Sequence, residues 1–348
     1  MMIGMIFIIR SDGLTVIGEN KLCMMWFQTA LGRLKLFLMK ESMAKYFLAL
    51  LMLLAAASGF ARGAPEAETF LWQLSQPGRP VSYLLGTLHV GKTGARLPAH
   101  YQRALEQSAQ LVVESNADEL AEPQYAAEAA RMAALMADTR TLDQSIGRVR
   151  MFALNHVLQQ GNDTIALDGN SRLKPWAFWL SVQSLYSPKG YSYHSGTDNL
   201  LIRQAKAQQK PVIALERLEP LYYFNAVPED KIRRSLDMLI RHHRPILAEQ
   251  KTLVADYQAN QAGRLWQDVS DPEEQFKYLP VQDRAFWQHL MYQQLLVERN
   301  QQWLVRLVEI LPQQPTLVAV GAAHLFGEQG LILRLRQVGY RVEPVLPE

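Results

Sequence analysis

Two apolar segments of the chain end in the same pattern, a glycine followed three residues later by a histidine. They span residues 81–89 and 316–324, in which Gly86 precedes His89 and Gly321 precedes His324. Apolar runs of this length predict strands that are covered on both faces. A glycine at a strand end allows unusual backbone angles and the close approach of a ligand. We therefore expect two buried strands, each followed by a loop that presents a histidine.

The segments around these two strands have patterns typical of short strands and amphipathic helices. The turn residues at 77–80 join an alternating segment to the first glycine-histidine strand, which predicts a hairpin. The other predicted elements are strands at 70–75, 111–114 and 340–345, and helices at 98–110 and 330–338. Each end of the body is therefore predicted to be a β-α-β unit with a Gly-x-x-His (GxxH) motif at its first crossover.

The middle of the chain is predicted to be mainly helical. Helical patterns occupy residues 121–138, 151–160, 174–180, 198–209, 229–261 and 280–311, with one strand at 211–216. Trp266 and Trp287 are expected to pack in the interior of this region. The predicted fold class is α/β, with a central mixed β-sheet built from the two β-α-β units and a large helical insertion at about residues 119–311.

The N-terminal region has the pattern of a secretory signal peptide. Basic residues at 40–45 precede an apolar run, Tyr46–Ala57, and small residues follow at 58–64. The run is short for a transmembrane anchor, which needs about 20 residues. We expect residues 39–63 to be the signal peptide, residues 1–38 to be an upstream extension, and residues 64–348 to form a single domain. The mature protein is then exported to the periplasm or the exterior, with no stable membrane span.

Charge and cysteine content exclude several functional classes. Residues 1–61 contain six Lys or Arg and three Asp or Glu, which accounts for the whole formal charge of +3. The remaining body is neutral, and nucleic-acid binding requires a basic surface. The single cysteine, Cys23, lies before the body, so the body has no thiol catalysis, disulfide or cysteine-ligated zinc. Any metal would be bound by histidines and carboxylates.

Four polar residues follow predicted strands, namely His89, Glu114, Glu216 and His324. Ligand sites in open α/β sheets lie beyond the carboxyl ends of the strands. Two imidazoles and a carboxylate are a common set of ligands for zinc or a related divalent ion. Simpler interpretations remain open: either histidine can be a hydrogen-bonded structural residue, and Glu114 can form a salt bridge with an arginine. Glu216 can pair with the adjacent Arg217.

Arg299 and Asn300 lie on the predicted helix before the second motif. An arginine on a helix is usually solvated, but Trp303 follows one turn later and would favour an inward orientation of Arg299. The other histidines are expected at the surface, namely His100, His156, His194, His242, His243 and His289. No Gly-x-Ser-x-Gly motif or P-loop lysine motif is present, so serine hydrolysis and nucleotide binding lack support.

The chain resembles the TraB/GumN family, in the superfamily of Tiki-type metalloproteases, haem-linked ChaN proteins and erythromycin-esterase-like enzymes. The supporting residues are Leu85-Gly-Thr-Leu-His89, Val113-Glu114, Lys174-Pro-Trp176, Gly196-Thr-Asp198, Glu298-Arg-Asn300, Val320-Gly-Ala-Ala-His-Leu-Phe-Gly327 and Gly339-Tyr340. The resemblance extends from about Phe70 to Val345. It implies that the paired GxxH motifs form a metal-centred site with Glu114, supported by Arg299 and Asn300.

We therefore hypothesise an exported metal-dependent hydrolase that acts on a peptide or a small molecule. His89, His324 and Glu114 would bind the divalent cation (zinc, manganese or cobalt), and Glu114 could instead act as the base. Arg299 and Asn300 would stabilise the developing oxyanion. The alternative is a non-catalytic envelope protein that binds haem or another ligand in the same cleft. The residues alone assign no role to Asp198 or Glu216.

Overall fold

A computed structural model describes residues 63–347, together with the backbone of two short antiparallel strands, β1 (Phe7–Arg10) and β2 (Gly13–Val16). The predicted signal peptide, except Gly63, and the rest of the predicted upstream extension lie outside the described residues. Among the described residues, no helix is both long enough and apolar enough to cross a membrane.

A six-stranded mixed sheet forms the centre of the protein and confirms the predicted α/β fold. The strands of the body are β3 (Leu71–Ser75), β4 (Ser82–Thr87), β5 (Gly91–Lys92), β6 (Gln110–Val113), β7 (Tyr191–Ser192), β8 (Val212–Ala214), β9 (Thr316–Gly321) and β10 (Arg341–Pro344). The sheet has the order β10-β3-β4-β9-β6-β8, and β5 pairs separately with β7. The pairs β10–β3 and β3–β4 are antiparallel. The pairs β4–β9, β9–β6 and β6–β8 are parallel.

The two GxxH strands are neighbours in this sheet, although they are far apart in sequence. In the parallel pairing of β4 with β9, Gly86 lies opposite Val320 and Thr87 opposite Gly321. Gly86 lies within β4 and has no positive φ, so it does not use the unusual backbone angles that a glycine at a strand end allows. A Cβ at Gly86 would lie 3.0 Å from the Cα of Ala322, so this glycine leaves room for the second GxxH turn rather than for a ligand.

Most predicted helices are present with shifted ends. The α-helices are Ala99–Glu106, Ala126–Met136, Arg148–Gln159, Pro175–Leu185, Thr197–Ala207, Glu219–Asn225, Glu229–Gln258, Ala262–Ser270, Pro272–Gln275, Val281–Gln288, Arg299–Ile310 and Leu331–Gln337. The helix predicted at 280–311 is interrupted by a π-helical segment, His289–Glu298, directly before Arg299. Short 3-10 turns replace the first residues of the helix predicted at 121–138.

The longest helix, Glu229–Gln258, is kinked in its middle. His242 has non-helical backbone angles (φ −114°, ψ 20°), and Pro245 lies three residues later. A proline inside a helix has no N–H to donate and its ring clashes with the carbonyl four residues earlier. The kink therefore follows from Pro245, and the prediction of one uninterrupted helix was wrong on this point.

Two clusters of buried apolar residues lie in the body. One surrounds the sheet and includes Trp266 and Trp303, so the helices Ala262–Ser270 and Arg299–Ile310 pack against the strands. The other lies among the helices of the middle region and includes Trp287. Both tryptophans that were predicted to pack in the interior are buried.

A buried carboxylate connects two helices of the middle region. Asp283 is fully buried and accepts hydrogen bonds from Lys231 Nζ at 2.8 Å and from Arg234 Nε at 2.5 Å. These bonds hold the helix Val281–Gln288 against the helix Glu229–Gln258. The hydrogen bond from Arg234 lowers the pKa of Asp283, and Lys231 adds to this effect. Together they outweigh burial, which acts to raise the pKa.

Replacing Asp283 with asparagine should lower the free energy of unfolding at pH 7 by about 1.5–3 kcal/mol, the range for hydrogen bonds to charged groups. A lowered pKa adds stability above the unfolded-state pKa of about 4, and this stability is lost as the pH falls through the folded-state value. The difference between the wild type and Asp283→Asn, measured by urea unfolding, should therefore shrink below about pH 4. Glu273→Gln, which removes an exposed ion pair with Arg284, is the matched control and should change little. A difference that stays constant down to pH 2 would contradict the ionic origin.

Candidate functional site

The parallel strands β4, β6, β8 and β9 all end at the same edge of the sheet. Because of this arrangement, the four polar residues predicted at strand ends lie at one edge of the molecule. His89 follows β4, Glu114 follows β6, Glu216 follows β8 by two residues, and His324 ends the 3-10 turn after β9. The four residues therefore lie together at the carboxyl ends of the strands, as predicted.

Arg299 joins the two glutamates of this edge. Its side chain is 3% exposed, and the guanidinium lies 4.5 Å from the centre of the Trp303 ring. Nε donates to Glu216 Oε2 at 3.0 Å, while Nη2 donates to Glu114 Oε2 at 2.6 Å and also to Glu216 Oε1. Nη1 donates to the carbonyl of Leu295 at 3.2 Å. The inward orientation that Trp303 suggested is confirmed.

Both glutamates therefore have an arginine partner, as the simpler interpretation of Glu114 proposed. Glu216 pairs with Arg299 and not with its neighbour Arg217, which instead donates to Glu119 at 3.1 Å. The indole Nε1 of Trp303 also donates to Glu216, at 3.0 Å. Burial raises the pKa of Glu216, and Arg299 offsets only part of this effect.

Glu114 connects the arginine to the second GxxH motif. Its Oε1 accepts a hydrogen bond from the backbone N–H of Gly321 at 2.6 Å and lies 3.8 Å from His324 Nε2. Burial acts to raise the pKa of Glu114, but the charges of Arg299 and of the two nearby histidines lower it well below the usual range. Glu114 is therefore ionised at neutral pH.

His324 is fully buried and oriented by Asn300. Its Nδ1 lies 2.7 Å from Asn300 Oδ1, and the Asn300 amide donates to the carbonyls of His324 at 3.1 Å and Gln329 at 2.8 Å. Since the Asn300 nitrogen is committed to two carbonyls, its oxygen is the acceptor and His324 Nδ1 has the proton. Burial, reinforced by Arg299, lowers the pKa of His324 well below 6.5, so Nε2 keeps a lone pair.

His89 is oriented in the same way by Asp198. Its Nδ1 lies 2.9 Å from Asp198 Oδ2, and its ring stacks on Tyr193 with centroids 5.6 Å apart. Burial lowers the pKa of His89, but the attraction of Asp198 and Glu114 outweighs burial and raises the pKa above its ordinary value. Both GxxH histidines thus have Nδ1 bonded to a neighbouring oxygen. Nε2 of His89 has no hydrogen-bond partner among the described residues, whereas Nε2 of His324 accepts a long hydrogen bond of 3.4 Å from Arg299 Nη1.

A small polar cavity of about 80 Å³ lies beside His89 and is also lined by Thr87, Glu114, Tyr193 and Asp198. Thr87 Oγ1, His89 Nε2 and Asp198 Oδ1 are buried there with no hydrogen-bond partner among the described residues. Unpaired buried polar atoms are costly, which indicates that water, an ion or a substrate group satisfies them. A cavity of this size has room for more than one water molecule, since about 10–15 Å³ is enough to admit the first.

The donor types at this edge fit a divalent cation. Metal-binding histidines almost always donate their other N–H to an oxygen, as His89 and His324 do to Asp198 and Asn300. When Glu114, Glu216 and Asp198 are all ionised, their three negative charges exceed the single positive charge of Arg299 by two. However, no three His, Cys, Asp or Glu side chains within residues 63–347 stand close enough to form a ready-made metal group. The predicted ligands His89, Glu114 and His324 therefore lie at the same edge of the sheet, but their side chains do not form a coordination sphere.

An oxyanion donor needs a free N–H group, and Arg299 and Asn300 do not offer one. Every N–H group of the Arg299 guanidinium and of the Asn300 amide is already bonded within the protein, and one of the guanidinium groups is bonded to His324 Nε2. Their contacts are those of residues that fix Glu114, Glu216 and His324. Pattern analysis left Asp198 and Glu216 without a role. The signals for Asp198 were its place in the Gly196-Thr-Asp198 motif and its position at the start of a helix.

The remaining histidines lie away from this edge, and one of them corrects a prediction. His156, His194 and His289 are exposed, and His242 and His243 are half-buried. His100 is buried, with its ring edge-on to Tyr101 at 4.3 Å between centroids, so its predicted surface position is wrong. A polar sequence context did not reveal that the first turn of its helix faces the core.

The whole arrangement lies within a region that matches known proteins. The chain is 28% identical over 265 residues to the uncharacterized protein YbaP of Shigella flexneri and to that of Escherichia coli K12. Each of these alignments covers 76% of this chain and 90% of the relative. The sequence model of the TraB/PrgY/gumN family matches residues 70–344, which include both GxxH motifs and every residue of the site. The chain belongs to the TraB/PrgY/gumN family.

Proposed function

We propose that this protein is a metal-dependent hydrolase whose site is the shared edge of the two GxxH strands. His89, His324 and Glu114 would hold the divalent cation, which is zinc, manganese or cobalt. The observation that supports the proposal most is the matched environment of the two histidines. In each, a neighbouring oxygen binds Nδ1, so that Nε2 carries the lone pair whenever the imidazole is neutral.

Glu114 retains the capacity to act as a ligand in addition to its bonds within the protein. An ionised carboxylate has about four lone-pair sites, and Glu114 uses one for Arg299 and one for the N–H of Gly321. A bound divalent cation supplies Lewis acidity, which polarises a carbonyl and makes water more acidic. The excess of carboxylates over Arg299 favours the binding of such a cation at this edge.

The surrounding residues position these ligands. Asp198 fixes the ring of His89, and Asn300 fixes the ring of His324. Arg299 holds Glu114 ionised and in place, since it binds the carboxylate directly. We assign Arg299 and Asn300 to positioning rather than to oxyanion stabilisation, because their donors are already bonded. The polar cavity beside His89 would receive the bond to be hydrolysed.

The substrate class is a peptide or a small molecule, and the site of action is outside the cytoplasm. Location rests on the signal-peptide pattern at residues 39–63. The alternative of a non-catalytic protein that binds haem or another ligand uses the same cleft and differs only in turnover.

Replacing His89 with alanine should lower hydrolysis by at least ~100-fold, because loss of an outer partner alone typically costs 10–100-fold. The measurement is cleavage of a peptide library by the purified protein supplied with zinc, manganese or cobalt, with and without a chelator. His156→Ala, which changes an exposed histidine, is the matched control and should keep full activity. Chelator-insensitive cleavage, or equal activity of His89→Ala, would contradict the metal-dependent mechanism. Tight binding of a ligand such as haem without any cleavage would favour the alternative.

A further inference from the structure

A second cavity, larger and mainly apolar, also borders His89. Its volume is about 240 Å³, larger than the 150 Å³ apolar cavity that holds a benzene molecule in an engineered protein. Thr87, His89 and Tyr193 line both this cavity and the polar one, so they form a wall between the two. A molecule bound against His89 can therefore extend into either space.

The walls of this apolar cavity come from both GxxH loops and from the helices of the middle region. Leu88 and Val90 belong to the first loop and Ala322 and Ala323 to the second. The helices Glu229–Gln258 and Ala262–Ser270 add four aliphatic side chains, Leu253, Val254, Leu265 and Val269. No Asp, Glu, Lys or Arg lines the cavity. Such walls favour an uncharged aliphatic or aromatic group, because a charged group would be desolvated there without a partner.

Three polar atoms of the residues that line this cavity lack a hydrogen-bond partner among the described residues, namely Thr87 Oγ1, His89 Nε2 and Gln250 Oε1. Gln250 Oε1 is buried and accepts no hydrogen bond from the described residues, while its Nε2 donates to the carbonyl of Tyr186 at 3.4 Å. The contact with that carbonyl orients the amide so that the oxygen is the free atom. A buried acceptor of this kind requires an N–H donor. Mainly apolar walls with a free amide acceptor match an amino-acid residue whose side chain is apolar and whose backbone N–H is available.

We propose that this cavity is a specificity subsite for an uncharged, apolar side chain of a peptide substrate, next to the bond presented at His89. The inference rests on the proposed hydrolase function and adds the substrate class to it. Leu253 limits the depth of the subsite, and Gln250 accepts the N–H of the bound residue. Leu253 and Gln250 are specificity residues, and neither takes part in the hydrogen bonds that position the two histidines.

The test is the binding of N-acetyl amino-acid amides, which requires no turnover. Ligand-observed NMR should show that the leucine and phenylalanine amides bind at least ~10-fold more tightly than the alanine, lysine and glutamate amides. Leu253→Trp, which fills the cavity, should remove this preference, and Gln250→Leu should weaken binding of the leucine amide by about 2- to 10-fold. Leu247→Trp changes a half-buried leucine of the same helix that does not line the cavity, and it should leave the preference intact.

A complementary variant keeps the test valid if Leu253→Trp does not fold. Leu253→Ala enlarges the cavity and should shift the preference toward the phenylalanine amide. Preferential binding of the charged amides, equal binding of all five, or an unchanged preference in both Leu253 variants would overturn the subsite. Binding of the leucine and phenylalanine amides without cleavage of any peptide would support the subsite and count against the hydrolase. Metal-dependent cleavage with no preference for an apolar residue would support the hydrolase and count against the subsite.

Discussion

Replacing Arg299 with leucine should lower the free energy of unfolding by about 3–5 kcal/mol, the cost of leaving a buried charge without its partner. The guanidinium is almost fully buried and binds Glu114 and Glu216 at the same time. Without it, the hydrogen-bond partners left to these carboxylates among the described residues are the Gly321 N–H and the Trp303 indole. Urea unfolding at pH 7 measures the effect.

Two further variants separate the ionic explanation from a packing defect. Arg299→Lys should recover only part of the loss, because one ammonium cannot reproduce the forked contacts of a guanidinium. A triple variant with Glu114→Gln, Glu216→Gln and Arg299→Met removes all three charges and should be closer to the wild type than Arg299→Leu alone. Arg131→Leu, at a 63% exposed side chain, is the surface control and should cost less than about 0.5 kcal/mol. Equal stability of Arg299→Leu and Arg131→Leu would contradict the central position of Arg299.

The sheet edge could be predicted from the sequence because buried parallel strands have a strong pattern. The apolar runs of β4 and β9 end at the motif glycines, and parallel strands bring their carboxyl ends to one side. The repetition of the GxxH pattern then indicated that His89 and His324 belong to one site. The family match over residues 70–344 confirms the predicted family.

The pairing of side chains at that edge could not be predicted, because it depends on contacts across long distances in sequence. Asp198 binds His89 from 109 residues away, and Arg299 binds Glu114 from 185 residues away. The sequence neighbours suggested Arg217 as the partner of Glu216, yet the strand end turns that carboxylate inward to Arg299. Helix packing, and not local pattern, decides these partners.

Local irregularities within helices also could not be predicted from the periodic spacing of apolar residues. The apolar spacing of residues 280–311 is continuous, so it predicted one helix, whereas the structure has a π-helical segment directly before Arg299. π-Helical segments are frequent at functional sites. The kink near His242 had a visible signal in Pro245, but a long amphipathic pattern on both sides of the proline concealed it.

The second large effect is expected on cation binding. Replacing both His89 and His324 with alanine should abolish the binding of zinc, manganese or cobalt, because both lone pairs offered by the motif histidines are removed. Asp198→Asn leaves the imidazole of His89 in place but weakens its orientation, so the affinity should fall by 10–100-fold. The graded order of wild type, Asp198→Asn and the double variant distinguishes specific binding from adsorption to surface histidines.

Isothermal titration calorimetry of the purified protein with each of the three cations tests the central claim most directly. We expect the wild type and His156→Ala to bind one cation per chain, Asp198→Asn to bind it more weakly, and the His89→Ala/His324→Ala double variant to bind none. Circular dichroism of each variant confirms that the fold is retained. Failure of the wild type to bind any of the three cations, or equal binding by a folded double variant, would contradict a metal site shared by the two GxxH motifs.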